Sequence, residues 1–223
     1  MNVPVTFDIS KDKTLLLLWS GGYDSTLILI EALRQGYNIN TLYVNLKNND
    51  LKSLREMYKR TLILKKLEHK FSKQIQDKIV EVDVTRQNFD ELRYVQPTLW
   101  LIQSLLYTSI KNDYICFGYL KTSVFWHISH NWRDAFHSLK KCLIISEKIE
   151  PLFPLEWTTK LECHKYFKLY FKDIYDLCHT CETPILKKGL IVDCGKCKPC
   201  ENLKHTNILL KKEKEIKDVT EVD

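Results

Sequence analysis

No apolar run in this chain approaches the ~18 residues that a bilayer-spanning helix needs, so no transmembrane span is expected. Nor do Met1 to Thr14 have the layout of a signal peptide. Leu15 to Leu18 form too short an apolar region and lead straight into a glycine turn. The chain therefore reads as cytoplasmic. A Gly-x-x-x-x-Gly-Lys-Ser/Thr pattern is missing too, so no Walker lysine waits for a γ-phosphate. Charge imbalance is modest: 34 Lys and Arg against 28 Asp and Glu give a formal net charge of +6. The excess sits in Lys47 to Lys78 and Lys211 to Lys214, mixed with acids. Such segments read as solvated helix faces or a tail, and a dedicated nucleic-acid surface is not expected. At 223 residues, with 44% hydrophobic and 28% charged content, the chain suits one moderate domain with room for an appendage.

What stands out is Leu15-Leu16-Leu17-Leu18-Trp19-Ser20-Gly21-Gly22-Tyr23-Asp24-Ser25-Thr26. A short apolar run fit for a buried parallel strand breaks at two glycines and resumes as Leu27-Ile28-Leu29-Ile30, which suits a helix packed on a sheet. Glycine lets backbone approach a phosphate, and free N–H groups at a helix start point toward it with the helix dipole behind them. Ser20 and Ser25 add hydroxyl donors.

Eight cysteines in a reducing compartment are not expected to form disulfides. Cys116, Cys142 and Cys163 lie among apolar neighbours and read as core residues. The other five cluster as Cys178-His179-Thr180-Cys181 and Cys194-Gly195-Lys196-Cys197-Lys198-Pro199-Cys200. Two Cys-x-x-Cys steps sharing Cys197 make a tight turn of converging thiolates, and one upstream ligand completes a tetrahedral site. Spacing leaves that ligand open between Cys178, His179 and Cys181.

Between these motifs, Leu42-Tyr43-Val44, Ile79 to Val84 and Tyr114 to Gly118 read as strands. Asp50 to Phe71, Trp100 to Ile110 and Thr158 to Tyr170 read as helices. Their alternation predicts an α/β fold with a parallel sheet and helices on both faces. Ligands in such sheets bind at the carboxyl ends of strands, which puts Ser20 to Ser25 and Gly118 on one rim.

Ser20-Gly21-Gly22-Tyr23-Asp24-Ser25 resembles the SGGxDS signature of the PP-loop ATP pyrophosphatases, the adenine nucleotide α-hydrolase superfamily. With the Cys-Gly-x-Cys-x-x-Cys knuckle, the chain is similar from about Leu15 to Leu203 to the 7-cyano-7-deazaguanine synthase (QueC) family. The resemblance implies a Rossmann-like PP-loop domain over residues 1–175, with a zinc knuckle and tail over 176–223. It implies ATP-dependent adenylation of a 7-carboxy-7-deazaguanine, then attack by ammonia to give an amide and, after a second activation, a nitrile. ATP, Mg²⁺ and Zn²⁺ are the implied cofactors. Ser20, Gly21, Gly22, Tyr23, Asp24, Ser25 and Thr26 would bind the nucleotide, with Asp24 and Ser25 catalytic. Gly118, Trp126 and Arg133 would face the substrate. Cys181 joins Cys194, Cys197 and Cys200 as zinc ligands on this register, leaving Cys178 outside. A homodimer is implied as well.

Departures from the family pattern widen the range of products. Tyr94 to Trp100 lacks the family's Arg-Asn pair, Leu120 to Asp134 is rewritten, and the interval from Cys181 to Cys194 is longer than usual. One alternative is a relative of the kind found in antiviral operons, joining the activated deazaguanine to a protein or other amine. Another is a PP-loop enzyme that modifies tRNA. His127, His130 and His137 read as exposed or core residues rather than a metal cluster. Trp126 and Trp132 offer stacking or core faces, Asp83 a nucleotide contact or a turn role, and His205 to Asp223 a charged surface helix.

Overall fold

The structure, a computed structural model, describes residues 4–46, 49–71, 75–82, 95–108, 112–145 and 148–220. Five parallel strands form the sheet: β1 (Thr14–Leu18), β2 (Asn38–Leu46), β3 (Asp77–Val82), β4 (Tyr114–Cys116) and β5 (Glu150–Leu152). Their order is β3-β2-β1-β4-β5, the doubly wound Rossmann-like order. The chain runs outward from β1 to β3, then crosses back to β4 on the other side of β1. The loops leaving β1 and β4 therefore diverge at the carboxyl edge and open a crevice there.

Helices cover both faces. α1 (Tyr23–Arg34) and α2 (Asp50–Phe71) share one apolar cluster with α5 (Lys160–Tyr170) and α6 (Lys172–Tyr175). α3 (Val95–Tyr107) and α4 (Ser129–Cys142) pack Leu101, Leu105, Trp132 and Phe136 on the opposite face. The unbroken apolar run of β1 follows from this, since both of its faces are covered. α1 is enclosed by the sheet and α5, so Leu27 to Ile30 have no exposed surface. Glu31 is equally buried and is held by Arg34 Nη2 at 2.7 Å and the Tyr166 hydroxyl at 2.9 Å.

α2 spans the residues that the sequence marked as a helix. Pro151 hid β5 from sequence reading, and its place at the sheet edge explains why a residue without an N–H is tolerated there. The long interval before Cys194 holds an antiparallel hairpin of β6 (Ile185–Lys187) and β7 (Leu190–Val192), turned by Lys188 and Gly189 at positive φ. α7 (Lys198–Thr220) follows, and Leu203 packs on the core of α1 and α5. Cys116 and Cys163 are buried as expected, but Cys142 is exposed at the end of α4. Asp83 lies outside the described residues. Among those residues, no helix is long and apolar enough to cross a membrane.

Ile28→Ala should lower unfolding free energy by about 2–5 kcal/mol in urea denaturation, because the sheet and α5 both hold the space it fills. Acid should act through His164, whose pKa burial lowers from 6.5 to about 4. As pH falls from about 6.5 to about 4 the unfolded chain takes a proton that the folded chain refuses, so stability declines across that window. Urea midpoints measured over this range should fall less steeply in His164→Phe.

Candidate functional site

The loop after β1 is pinned from both ends. Trp19 N–H donates to Leu42 O at 2.9 Å, and its indole N–H donates to Thr26 Oγ1 at 2.9 Å. Gly21 sits at φ +80°, and a Cβ there would lie 2.9 Å from Arg60 Cγ, so strain and a clash both favour glycine. Gly22 takes the N-cap position of α1 without a side-chain cap, and Thr26 N–H closes the first turn on its carbonyl at 3.0 Å. The first-turn N–H groups of α1 thus face the crevice with the dipole behind them. Ser25 Oγ is buried there with no hydrogen-bond partner among the described residues. The chain after β4 closes in from the other side, since a Cβ on Gly118 would lie 3.5 Å from Ser25 N.

Asp24, in the first turn of α1, is held by Lys160 Nζ at 2.8 and 2.7 Å. Lys160 opens α5, which Thr159 and Glu162 start with a reciprocal capping box. Arg60 lies behind the loop. Its guanidinium sits 4.1 Å from the Trp19 ring centre and 4.5 Å from that of Tyr43, and it donates to Trp19 O and to Asp77 Oδ1.

In front of the loop is a cavity with two unlike wings. On the β2 side, α2 contributes Lys52, Ser53 and Glu56, joined by Tyr43 and Glu182. Lys52 pairs with Glu182 and lies 3.9 Å from Glu56, whose other oxygen accepts from the Tyr43 hydroxyl. Burial raises the Glu56 pKa against the pull of Lys52. It also opposes the Lys52 charge, yet Glu182 and Glu56 more than offset that, and the Lys52 pKa is raised. On the β4 side the walls are Trp100, Phe117 and Tyr119. Tyr119 stacks on Phe125 at 3.8 Å, and its buried hydroxyl has no partner among the described residues.

Of the residues expected from sequence, Ser20, Gly22, Asp24, Ser25 and Gly118 line this cavity. Tyr23 instead packs its ring against His164 and Tyr175 at 4.6 and 4.7 Å, and the Thr26 hydroxyl is occupied by Trp19. Trp126 donates its indole N–H to Leu120 O at 2.7 Å, and Arg133 stacks on Phe153 at 4.8 Å; neither lines the cavity. His127, His130 and His137 are exposed. Lys52, Glu56, Lys160 and Tyr119 line or flank the cavity, but no motif marks them.

The second cluster is the four cysteines. The Sγ atoms of Cys181, Cys194, Cys197 and Cys200 all lie within 4.8 Å of one another. Cys181 to Cys194 is 3.6 Å and Cys181 to Cys197 is 3.9 Å. A tetrahedron with Zn–S bonds of about 2.3 Å has edges of about 3.8 Å, so the donor set fits one tetrahedral cation. Cys194 Sγ accepts from Cys197 N–H and Thr183 Oγ1 at 3.3 Å each, and from Lys196 N–H at 3.5 Å. These bonds hold its pKa down to about 6, led by that from Thr183. Gly195, at φ +73°, makes the knuckle turn. Cys178 lies apart, in the core, with its thiol 3.5 Å from Ile174 O.

Cys194→Ser should cost the protein most of its bound metal by elemental analysis, while Cys178→Ser should retain it. Because ligation needs thiolates, metal content should also fall as pH is lowered.

No family model matches the chain. Over 46 residues it is 50% identical to argininosuccinate synthase of Thermoplasma volcanium, a stretch covering 20% of this chain and 11% of that protein. Among solved structures, a protein described as a predicted subunit of tRNA methyltransferase from Methanocaldococcus jannaschii aligns with TM-score 0.48 and 17% identity, over 69% of this chain and 73% of that one. The U34-tRNA thiolase NcsA of Methanococcus maripaludis, solved with its 4Fe–4S cluster, aligns with TM-score 0.43 and 19% identity, over 79% and 63%. The NH3-dependent NAD synthetase of Campylobacter jejuni aligns with TM-score 0.43 and 16% identity, over 78% and 71%.

Proposed function

We propose that this protein cleaves ATP between the α and β phosphates to adenylate a carboxylate, and that the substrate is a 7-carboxy-7-deazaguanine with ammonia as the nucleophile. The observation that carries this reading is the crevice at the α1 N-terminus. Uncapped N–H groups and the Ser25 hydroxyl, which has no partner among the described residues, face a cavity there, beside the Asp24–Lys160 pair.

The chemistry follows from leaving groups. A carboxylate oxygen attacks the α-phosphorus, the bond to the bridging oxygen breaks, and pyrophosphate departs. Ammonia then attacks the acyl carbon, the bond to the AMP oxygen breaks, and an amide forms after loss of a proton. A second adenylation, on the amide oxygen, lets AMP leave with loss of the nitrogen protons, giving the nitrile.

In this scheme the Gly21–Gly22 turn and the first turn of α1 receive the charge of departing pyrophosphate, and Ser25 donates a hydrogen bond to it. Asp24 keeps Lys160 at the edge of the same site. Mg²⁺ bound with the nucleotide would spread the leaving group's charge, with Asp24 the nearest carboxylate in the loop. The flat Trp100 and Tyr119 walls suit a planar bicyclic base, and the Tyr119 hydroxyl offers its polar edge a hydrogen bond. Residues 1–175 would do this chemistry, while residues 176–223 hold zinc on four thiolates, with no position open for substrate.

Purified protein given ATP, Mg²⁺ and 7-carboxy-7-deazaguanine, with and without ammonia, should yield AMP, pyrophosphate and the amide or nitrile by mass spectrometry. No pyrophosphate under any of these conditions overturns the adenylation reading, and AMP release with mass added to a protein overturns ammonia as the acceptor. Ser25→Ala should slow pyrophosphate release about 10²- to 10³-fold at unchanged zinc content, as expected for losing one positioned donor.

A further inference from the structure

The four-cysteine knuckle does more than close on itself. Glu182, which directly follows Cys181, pairs with Lys52, and Asp193, which directly precedes Cys194, pairs with Arg55 at 3.1 Å. Lys52 and Arg55 are three apart on α2 and so share one face of that helix. Two backbone ties reinforce the pairing: Arg55 Nη1 donates to Ile191 O at 2.9 Å, and Asn49 Nδ2 donates to Glu182 O at 3.4 Å. Asn49 also accepts from Lys52 N–H at 3.2 Å, so the start of α2 is itself joined to the knuckle. Glu182 and Lys52 both line the cavity in front of the loop.

We propose that the knuckle is a positioning element for that cavity: a cation on its four thiolates fixes Glu182, and Glu182 fixes Lys52 in the cavity wall. The physical reason is reach. Glu182 is one peptide unit from a ligand, so an ion that holds Cys181 restricts where the Glu182 carboxylate sits, and the hairpin between the two acids carries no core of its own. Without the ion, these pairs and the two backbone ties must hold the segment, and pairs whose carboxylates stand about half exposed contribute little. Glu182 is therefore a positioning residue acting through Lys52. The consequence for ATP affinity rests on the nucleotide reading above; the coupling itself does not.

The test uses the full-length, metal-loaded protein. Acylation of Lys52 by an amine-reactive reagent is followed by peptide mass spectrometry, relative to exposed Lys65 on the same helix. Relative acylation should rise at least about 5-fold after chelation, the lower end of ordinary site-to-site coupling. It should rise comparably in Glu182→Gln with its metal retained. Equal relative rates in loaded and stripped protein, or in wild type and Glu182→Gln, overturn the coupling. ATP titration of the same samples separates the two ideas. Affinity should fall with either treatment, and a loaded wild type that binds no ATP would overturn the nucleotide reading while the acylation comparison still decides the coupling.

Discussion

Arg60 is the point on which the site hangs. Its guanidinium is buried between the Trp19 and Tyr43 rings and reaches the Trp19 carbonyl and the Asp77 carboxylate. One side chain from α2 therefore ties the end of β1 and the middle of β2 to the start of β3. A buried cation is costly unless its charge is met, and here a carboxylate takes Nη2, a carbonyl takes Nη1 and two aromatic faces cover the plane, while Nε has no partner among the described residues. The Arg60 stem also fills the space that a side chain at position 21 would need. The need for glycine at position 21 follows from this contact.

The sheet order then decides what surrounds the turn. Because β4 pairs with β1 on the side opposite β2, the glycine after β4 comes against the first turn of α1 while α2 stands on the other flank. The cavity inherits that asymmetry. One flank is ionic, built on Lys52, Glu56 and Glu182; the other is aromatic, built on Trp100, Phe117 and Tyr119. Between them, uncapped N–H groups and a serine hydroxyl without a partner among the described residues make a centre suited to negative charge.

The knuckle leans on the ionic flank. Its two acidic neighbours grip α2, one in the cavity wall at Lys52 and the other a turn further on at Arg55, so a feature that spacing alone marks as a closed structural site adjoins the cavity. Its own geometry follows from a short loop. Three of the four thiols lie within residues 194–200, and Gly195 supplies the positive φ that lets them converge.

Local patterns were enough for the parts whose physics is local. The Ser20 to Ser25 loop, the bounds of α2 and the cysteine turn depend on backbone freedom, helical periodicity and short ligand spacing, and each was legible in consecutive residues. β5 escaped because Pro151 reads as a break unless the strand is known to be an edge. Trp126 is singled out by its aromatic face and Arg133 by its place in the family pattern, and in the fold both pack on Phe153. The pairs that complete the cavity join residues far apart in sequence: Asp24 with Lys160 across 136 positions, Lys52 with Glu182 across 130. The sequence by itself determined the turn, the elements and the thiol cluster, since these need only neighbouring residues. Tertiary structure decided which cations, carboxylates and rings face the turn, because that depends on strand order and on what each face of the sheet must bury.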